Sequence, residues 1–269
     1  MPAAASPVRH PVVLIGAGPG DPELLTLKAV RHIGEADVLL VDDLVDPAVL
    51  AHARSGARVR HVGKRGGLRS TPQSFIDRLM VREALAGHRV VRLKGGDPMI
   101  FGRAGEEIAA LREAGLEVEI VNGVSSALAA AASLEMSLTH RAHAQGVVLV
   151  TGHPKPGGAD ADWAMLARAG FTLAIYMGVS KAAQIVQALR DGGLPADLPA
   201  AAVHAAGRAD ERRLVTTLGS LVDDLAAQRI GSPAILIVGR VAAEAVATCP
   251  ARAPAGADGA PMAFRSARR

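Results

Sequence analysis

The chain reads as an α/β protein in which short buried strands alternate with helices around parallel sheets. Three observations lead there. Apolar runs of four to six residues recur at 11–15, 36–41, 90–93, 146–150, 172–177 and 233–238; most carry no polar alternation, as strands covered on both faces require. Nearly every run ends at a glycine turn: Gly16-Ala17-Gly18-Pro19-Gly20-Asp21, Val62-Gly63, Gly95-Gly96-Asp97-Pro98, Thr151-Gly152 and Met177-Gly178. Between the runs, apolar residues recur at helical spacing, and short links between alternating strand and helix favour parallel pairing. Asn122-Gly123 is the expected boundary between two such units, residues 11–122 and 123–245.

In order, residues 1–10 are rich in Ala and Pro and are expected to be a disordered tail. The first strand runs to its glycine turn, and a helix is expected from about Pro22, with proline in its first turn. The strand at 36–41 ends at Asp42-Asp43. A helix near 47–53 precedes a strand at 58–62, which enters the basic glycine loop Gly63-Lys64-Arg65-Gly66-Gly67. Ser70-Thr71-Pro72-Gln73 reads as a helix N-cap; that helix carries Phe75, Leu79 and Leu85 to Gly87. The central strand at 90–93 and its turn lead to a helix that Gly115 stops, then to a strand at 116–121. In the second unit Ser125-Ser126 caps an alanine-rich helix at 127–132. Strands are expected at 146–150, 172–177, 199–204 and 213–217, helices at 181–190 and 220–228, and a last strand at 233–238 closes the sheet. Beyond Val246 the composition is Ala, Pro, Gly and Arg, and residues 246–269 are expected to be disordered.

Composition excludes several functions. Apolar residues make up 49% but aromatics only 2%, so the core is aliphatic and few rings are left to stack on bases. The net charge of +4 lies at the ends: Arg252, Arg265, Arg268 and Arg269 against Asp258, plus Arg9, leave residues 11–245 neutral. That is not a nucleic-acid footprint. No apolar run reaches membrane-spanning length, and residues 1–10 do not resemble a secretory signal. The single cysteine, Cys249, permits a reducing, cytoplasmic setting.

The most informative stretch is Val90-Val91-Arg92-Leu93-Lys94-Gly95-Gly96-Asp97-Pro98-Met99-Ile100-Phe101-Gly102-Arg103-Ala104-Gly105-Glu106-Glu107. A strand, a turn whose glycines let backbone approach a ligand, and a helix start with early carboxylates describe a site at the carboxyl edge of a sheet. One rival reading is a nicotinamide dinucleotide-binding oxidoreductase, because Gly16, Gly18 and Asp42 mimic a dinucleotide fingerprint. The pattern fails at position 21, where the third glycine is Asp. Pro19 and Pro22 also remove amides that a pyrophosphate needs.

These motifs, in this order with Val62-Gly63-Lys64-Arg65, Gly123-Val124-Ser125-Ser126, Leu138-Thr139-His140-Arg141 and Val150-Thr151-Gly152-His153, resemble the tetrapyrrole methylase family over roughly residues 11–240. The resemblance implies two α/β domains with S-adenosyl-L-methionine in the cleft between them, a homodimer, and release of S-adenosyl-L-homocysteine. It is nearest to members that methylate uroporphyrinogen III at C2 and C7 to give precorrin-2, for sirohaem, cobalamin or haem d1; a later precorrin as substrate is the alternative. It assigns the cofactor to Pro19, Gly95, Gly96, Asp97, Ile100, Ser125, Ser126, Met177, Ala206 and Ala234. Six of these have a plainer reading: a rigid turn for Pro19, a helix cap for Asp97, Ser125 and Ser126, and core for Ile100 and Met177.

An octa-carboxylate substrate needs fixed cations. The resemblance implies Arg103 and Arg141 for that task, with Lys64 and Arg65 able to help, and Glu106 as the acid that removes the proton lost on methylation. Three departures stand out. Asp43 replaces a common Arg, Ala104 a common Gly, and Val203-His204-Ala205-Ala206 a common Val-Glu-Asn-Gly/Ala. His140 and His143, three apart, read as a structural pair rather than metal ligands, since no Cys or acid is clustered with them in sequence, and no metal is expected.

Overall fold

The structure, a computed structural model, describes residues 9–63, 71–154 and 157–246. The expected loop residues Lys64 and Arg65, the cap residue Ser70 and the tails at 1–8 and 247–269 lie outside them.

Among the described residues, ten strands form two five-stranded sheets. The first holds β1 (Val12–Gly16), β2 (Val38–Val41), β3 (Arg58–His61), β4 (Val90–Lys94) and β5 (Val118–Val121) in the order β3-β2-β4-β1-β5, with every pairing parallel. The second holds β6 (Val147–Thr151), β7 (Thr172–Tyr176), β8 (Pro199–His204), β9 (Arg212–Thr217) and β10 (Ala234–Val238) in the order β6-β7-β10-β8-β9. Only β6 and β7 are parallel there; β10 runs against both β7 and β8, and β9 against β8. The last strand therefore does not close the sheet at an edge. It inserts at the centre, where its uninterrupted Ala-Ile-Leu-Ile-Val run is buried throughout.

The helices are α1 (Leu27–Glu35), α2 (Gln73–Leu85), α3 (Ala104–Glu113), α4 (Ser126–Ser133), α5 (Trp163–Arg168), α6 (Ala182–Asp191) and α7 (Leu221–Ala227). They and short 3-10 turns cover both faces of each sheet with aliphatic clusters. Several local expectations are corrected. The segment from Pro22 is a 3-10 turn, and α1 starts later because Thr26 caps it through the Ala29 amide. Residues Pro47–His52 form a 3-10 helix. Thr71 does not cap α2; its hydroxyl turns to the Gly63 carbonyl at 3.4 Å. The face α2 buries is Ile76, Leu79, Met80, Glu83 and Ala84, so Phe75 and Leu85 are exposed. Helix α5 carries no strong apolar period and is not expected from sequence.

Three strand ends meet closely. A Cβ on Gly16 would lie 2.6 Å from the Gly123 nitrogen and 2.6 Å from the Gly96 oxygen; one on Gly123 would lie 2.5 Å from Gly96 oxygen and 2.6 Å from Gly16 oxygen. No side chain fits where β1, β4 and β5 release the chain. Gly123→Ala is therefore expected to cost about 3 kcal/mol of stability. An unchanged denaturant midpoint would show that the junction relaxes freely.

Candidate functional site

The turns that leave β1 and β4 are stitched together. Gly96 donates its amide to the Gly18 carbonyl at 2.7 Å, Gly18 returns a bond at 3.2 Å, and the Ala17 amide reaches the Lys94 carbonyl at 2.8 Å. Gly96 sits at φ +67, which L side chains rarely adopt. Asp97 then organises its loop. One carboxylate oxygen accepts from the Met99 amide at 2.8 Å; the other accepts from Asn122 Nδ2 at 3.1 Å and the Gly123 amide at 3.2 Å. It does not cap α3, whose N-cap is Arg103 in a left-handed conformation with no side-chain cap.

The second domain faces these turns. Ser125 heads α4 without capping it through its side chain; its hydroxyl pairs with Tyr176 Oη at 2.6 Å, and that oxygen also accepts from the Ala127 amide at 3.1 Å. The expected Ser125 cap is thus corrected: Tyr176 takes both partners. The Ser126 hydroxyl lies 3.5 Å from the position of a Gly96 Cβ. Phe101 packs on Tyr176 with ring centroids 4.9 Å apart. Pro19 lies against Gly207, where a Cβ would stand 3.0 Å from the proline ring, so Ala206 adjoins the first turn. Ala234 opens β10 beside His204, and the Ala205 amide is held by the Pro233 carbonyl at 2.9 Å.

Pro19, Gly95, Gly96, Asp97, Ile100, Ser125, Ser126, Met177, Ala206 and Ala234 thus gather at one edge of both sheets. Four non-glycine residues along this edge, Phe101, Arg103, Met177 and Ala205, hold φ between 50 and 56. Such strain is costly and collects at functional sites. Met99, Phe101 and Met177 are exposed apolar side chains beside it. Backbone approach at Gly95 and Gly96, exposed apolar and thioether surface, and one carboxylate fit a compact cationic cofactor with an apolar base.

Arg103 and Glu106 form a fork-to-fork pair, Nε to Oε1 at 2.9 Å and Nη2 to Oε2 at 2.6 Å, with both side chains more than half exposed. The Glu106 bond, ahead of other effects, raises the Arg103 pKa, so the guanidinium stays charged. Exposed i,i+3 pairs contribute only about 0.2–0.5 kcal/mol, so another carboxylate can displace Glu106.

Arg141 is not brought to this edge. It lies between α4 and β6, beside residues 169–171 that lead into β7, in a recess of about 250 Å³. The length of β7, about 17 Å at the usual rise per residue, separates that turn from Tyr176. His140 and His143 stack with centroids 4.5 Å apart, and each Nε2 is 3.6 Å from Oε1 of Glu244. The expectation that no acid stands near the pair is corrected, because Glu244 arrives from the 3-10 helix after β10. His140 Nδ1 accepts from the Ala142 amide at 3.1 Å. In the neutral ring the proton then sits on Nε2, facing Glu244.

Sequence reasoning missed Tyr176, the chain's one tyrosine, and a buried charged cluster beneath the site. Arg92, Lys94 and Glu107 are almost fully enclosed, and Asp42 joins them at 3.2 Å from Arg92 Nη2. The signal was present: Arg92 and Lys94 are two charges at strand spacing in an otherwise apolar run. Asp42, the acid needed by the dinucleotide reading, is engaged there.

Residues 11–222 match the family described as Tetrapyrrole (Corrin/Porphyrin) Methylases. A protein of Pseudomonas aeruginosa named uroporphyrinogen-III C-methyltransferase is 52% identical over 235 residues, 87% of this chain and 95% of that one. A crystal structure of uroporphyrin-III C-methyl transferase from Thermus thermophilus complexed with S-adenyl homocysteine is 41% identical, with a TM-score of 0.74 over 86% of this chain and 93% of that one. The structure of a cobalt precorrin-4 methyltransferase is 30% identical, with a TM-score of 0.78 over 86% of this chain and 95% of that one.

The 97–99 loop depends on Asp97, so Asp97→Ala is expected to weaken S-adenosyl-L-homocysteine binding at least tenfold and to cost about 1–2 kcal/mol of stability. Calorimetric titration measures the first; unchanged affinity would limit Asp97 to the Asn122 and Gly123 contacts.

Proposed function

The chain belongs to the tetrapyrrole (corrin/porphyrin) methylases, and from that premise we propose how its cleft carries out the reaction. It is an S-adenosyl-L-methionine-dependent uroporphyrinogen-III C-methyltransferase, adding methyl groups at C2 and C7 to give precorrin-2. The observation that most supports the residue assignment is the meeting of the 95–97 turn, Ser125-Ser126 and Tyr176-Met177 at one edge of both sheets.

The bound cofactor supplies an activated methyl group and its own leaving group, which leaves the protein to bind, orient and exclude water. Gly95, Gly96, Ala206 and Ala234 offer backbone groups, Pro19 and Ile100 offer apolar surface, and Asp97 offers a carboxylate to hydroxyl or amino groups. Ser125, paired with Tyr176, and Ser126, beside Gly96, offer hydroxyls at the start of α4, and Met177 stands exposed nearby. Arg103 would exchange Glu106 for a substrate carboxylate. That exchange frees Glu106 beside the reacting macrocycle, where it accepts the proton lost on methylation; C2 and C7 already carry their arms, so this proton does not come from the methylated carbon. Arg141, a strand length away, would hold a more distant arm of the macrocycle. Lys64 and Arg65 are proposed as further substrate cations.

A homodimer in the cytoplasm, acting without a metal and without nucleic-acid or membrane partners, completes the reading. No described helix is long and apolar enough to cross a membrane.

Anaerobic incubation with S-adenosyl-L-methionine and uroporphyrinogen III, followed by mass spectrometry, should show a gain of two methyl groups. No gain, with S-adenosyl-L-homocysteine still bound, would move the substrate to a later precorrin. Arg141→Ala should raise the KM for the tetrapyrrole and cut turnover by on the order of 100-fold while leaving cofactor affinity intact. Loss of cofactor binding would contradict its placement away from the cleft edge.

A further inference from the structure

Beneath the site lies a group of charges that the reaction as described does not use. Glu107 is fully buried on α3 and accepts four hydrogen bonds from three donors: Lys94 Nζ at 3.1 Å to each oxygen, Arg92 Nε at 3.0 Å, and Gln73 Nε2 at 3.2 Å. Arg92 also donates to the Leu93 carbonyl at 3.1 Å and to Asp42 at 3.2 Å. Two cations thus face two carboxylates, and the cluster is neutral. Burial, reinforced by Arg92, pushes the Lys94 ammonium below its usual pKa, and Glu107 opposes that shift.

Such a cluster is a poor way to gain stability, because desolvation cancels most of the attraction and an apolar replacement is often as stable. Its location suggests another role. Lys94 is the last residue of β4, and Gly95, Gly96 and Asp97 follow directly. Glu107 follows Glu106 and lies one helical turn beyond Arg103. Gly102 closes the connecting loop so tightly that a Cβ there would stand 3.0 Å from Lys94 Cε and 2.6 Å from the Pro98 oxygen. Arg103, with no side-chain cap and a left-handed backbone, does not fix the start of α3 by itself.

We infer that Glu107, acting through Lys94, is a positioning residue that holds the 95–97 turn in register with the Arg103–Glu106 pair. One buried ion pair thereby sets the distance between the wall that binds the cofactor and the groups that meet the substrate. The inference rests on the methyl-transfer reading above.

The test is the double variant Lys94→Met/Glu107→Gln, which removes both charges, keeps an acceptor for Arg92 and leaves Arg92 paired with Asp42. It should melt near the parent temperature. Its affinity for S-adenosyl-L-homocysteine should fall, its KM for uroporphyrinogen III rise, and its kcat fall by on the order of 10- to 100-fold, the range expected of small displacements in a reacting geometry. A purely structural role would lower the melting temperature and leave affinity and KM unchanged well below it. Parental affinity, KM and kcat in the folded double variant would overturn the inference. If that variant does not fold, Glu107→Asp carries the test: the charge stays and the reach shortens. Lowered kcat at a parental melting temperature supports positioning, and parental kinetics overturn it. Failure of the functional reading shows separately, as an unaltered chain that does not methylate uroporphyrinogen III. Homocysteine-cofactor affinity in the variants then still decides whether the pair sets the 95–97 turn.

Discussion

Everything at the cleft depends on the place where β1, β4 and β5 end. Gly16, Gly96 and Gly123 bring three backbones so close that a methyl group on Gly16 or Gly123 would overlap a neighbouring peptide. This closeness lets the Gly18 and Gly96 amides and carbonyls pair across the two turns, and lets Asp97 reach the Gly123 amide. The sheet itself is ordinary parallel β-structure. At the carboxyl ends of its strands, backbone rather than side chains makes the contacts between the turns.

Two kinds of interaction then hold the cleft from below and from across. Below, the Lys94–Glu107 pair ties strand end to helix start in a region closed to water, where losing one partner would leave a charge uncompensated. Across, Phe101 packs on Tyr176, Pro19 on Gly207, and Arg208 against Gly20, while Tyr176 is held within its own domain by Ser125 and the Ala127 amide. Left-handed backbone at Met177 and Ala205 turns the chain directly after β7 and β8, and at Arg103 it starts α3. A dissociable Arg103–Glu106 pair at that rim suits a site whose substrate is itself an array of carboxylates.

Alternation of both-face-apolar runs with helical segments was enough for the parallel first sheet, because each period reports one local backbone geometry. The ordered glycine turns marked the edge where the strand ends meet for a similar reason: only glycine satisfies a close approach, so the need leaves its trace in composition. Where the expectations failed, a better-placed cap or a distant residue had intervened. Thr26 displaced the start of α1 from Pro22, Tyr176 drew Ser125 away from capping, and Glu244 joined a histidine pair that seemed isolated from any acid.

By itself, the sequence determined the fold class, the family likeness and the residues that gather at the sheet edge, since periodicity and turn chemistry act within a few residues. Only tertiary structure decided three other matters. It placed β10 at the centre of a mixed sheet, because pairing partners are chosen by burial and not by chain order. It enclosed Arg92 and Lys94 against Glu107, because charge in a strand is tolerable only when a partner from another element arrives. It also set Arg141 a strand length from Tyr176 and the glycine turns, since the direction of a loop after α4 is fixed by what it packs against rather than by its own residues.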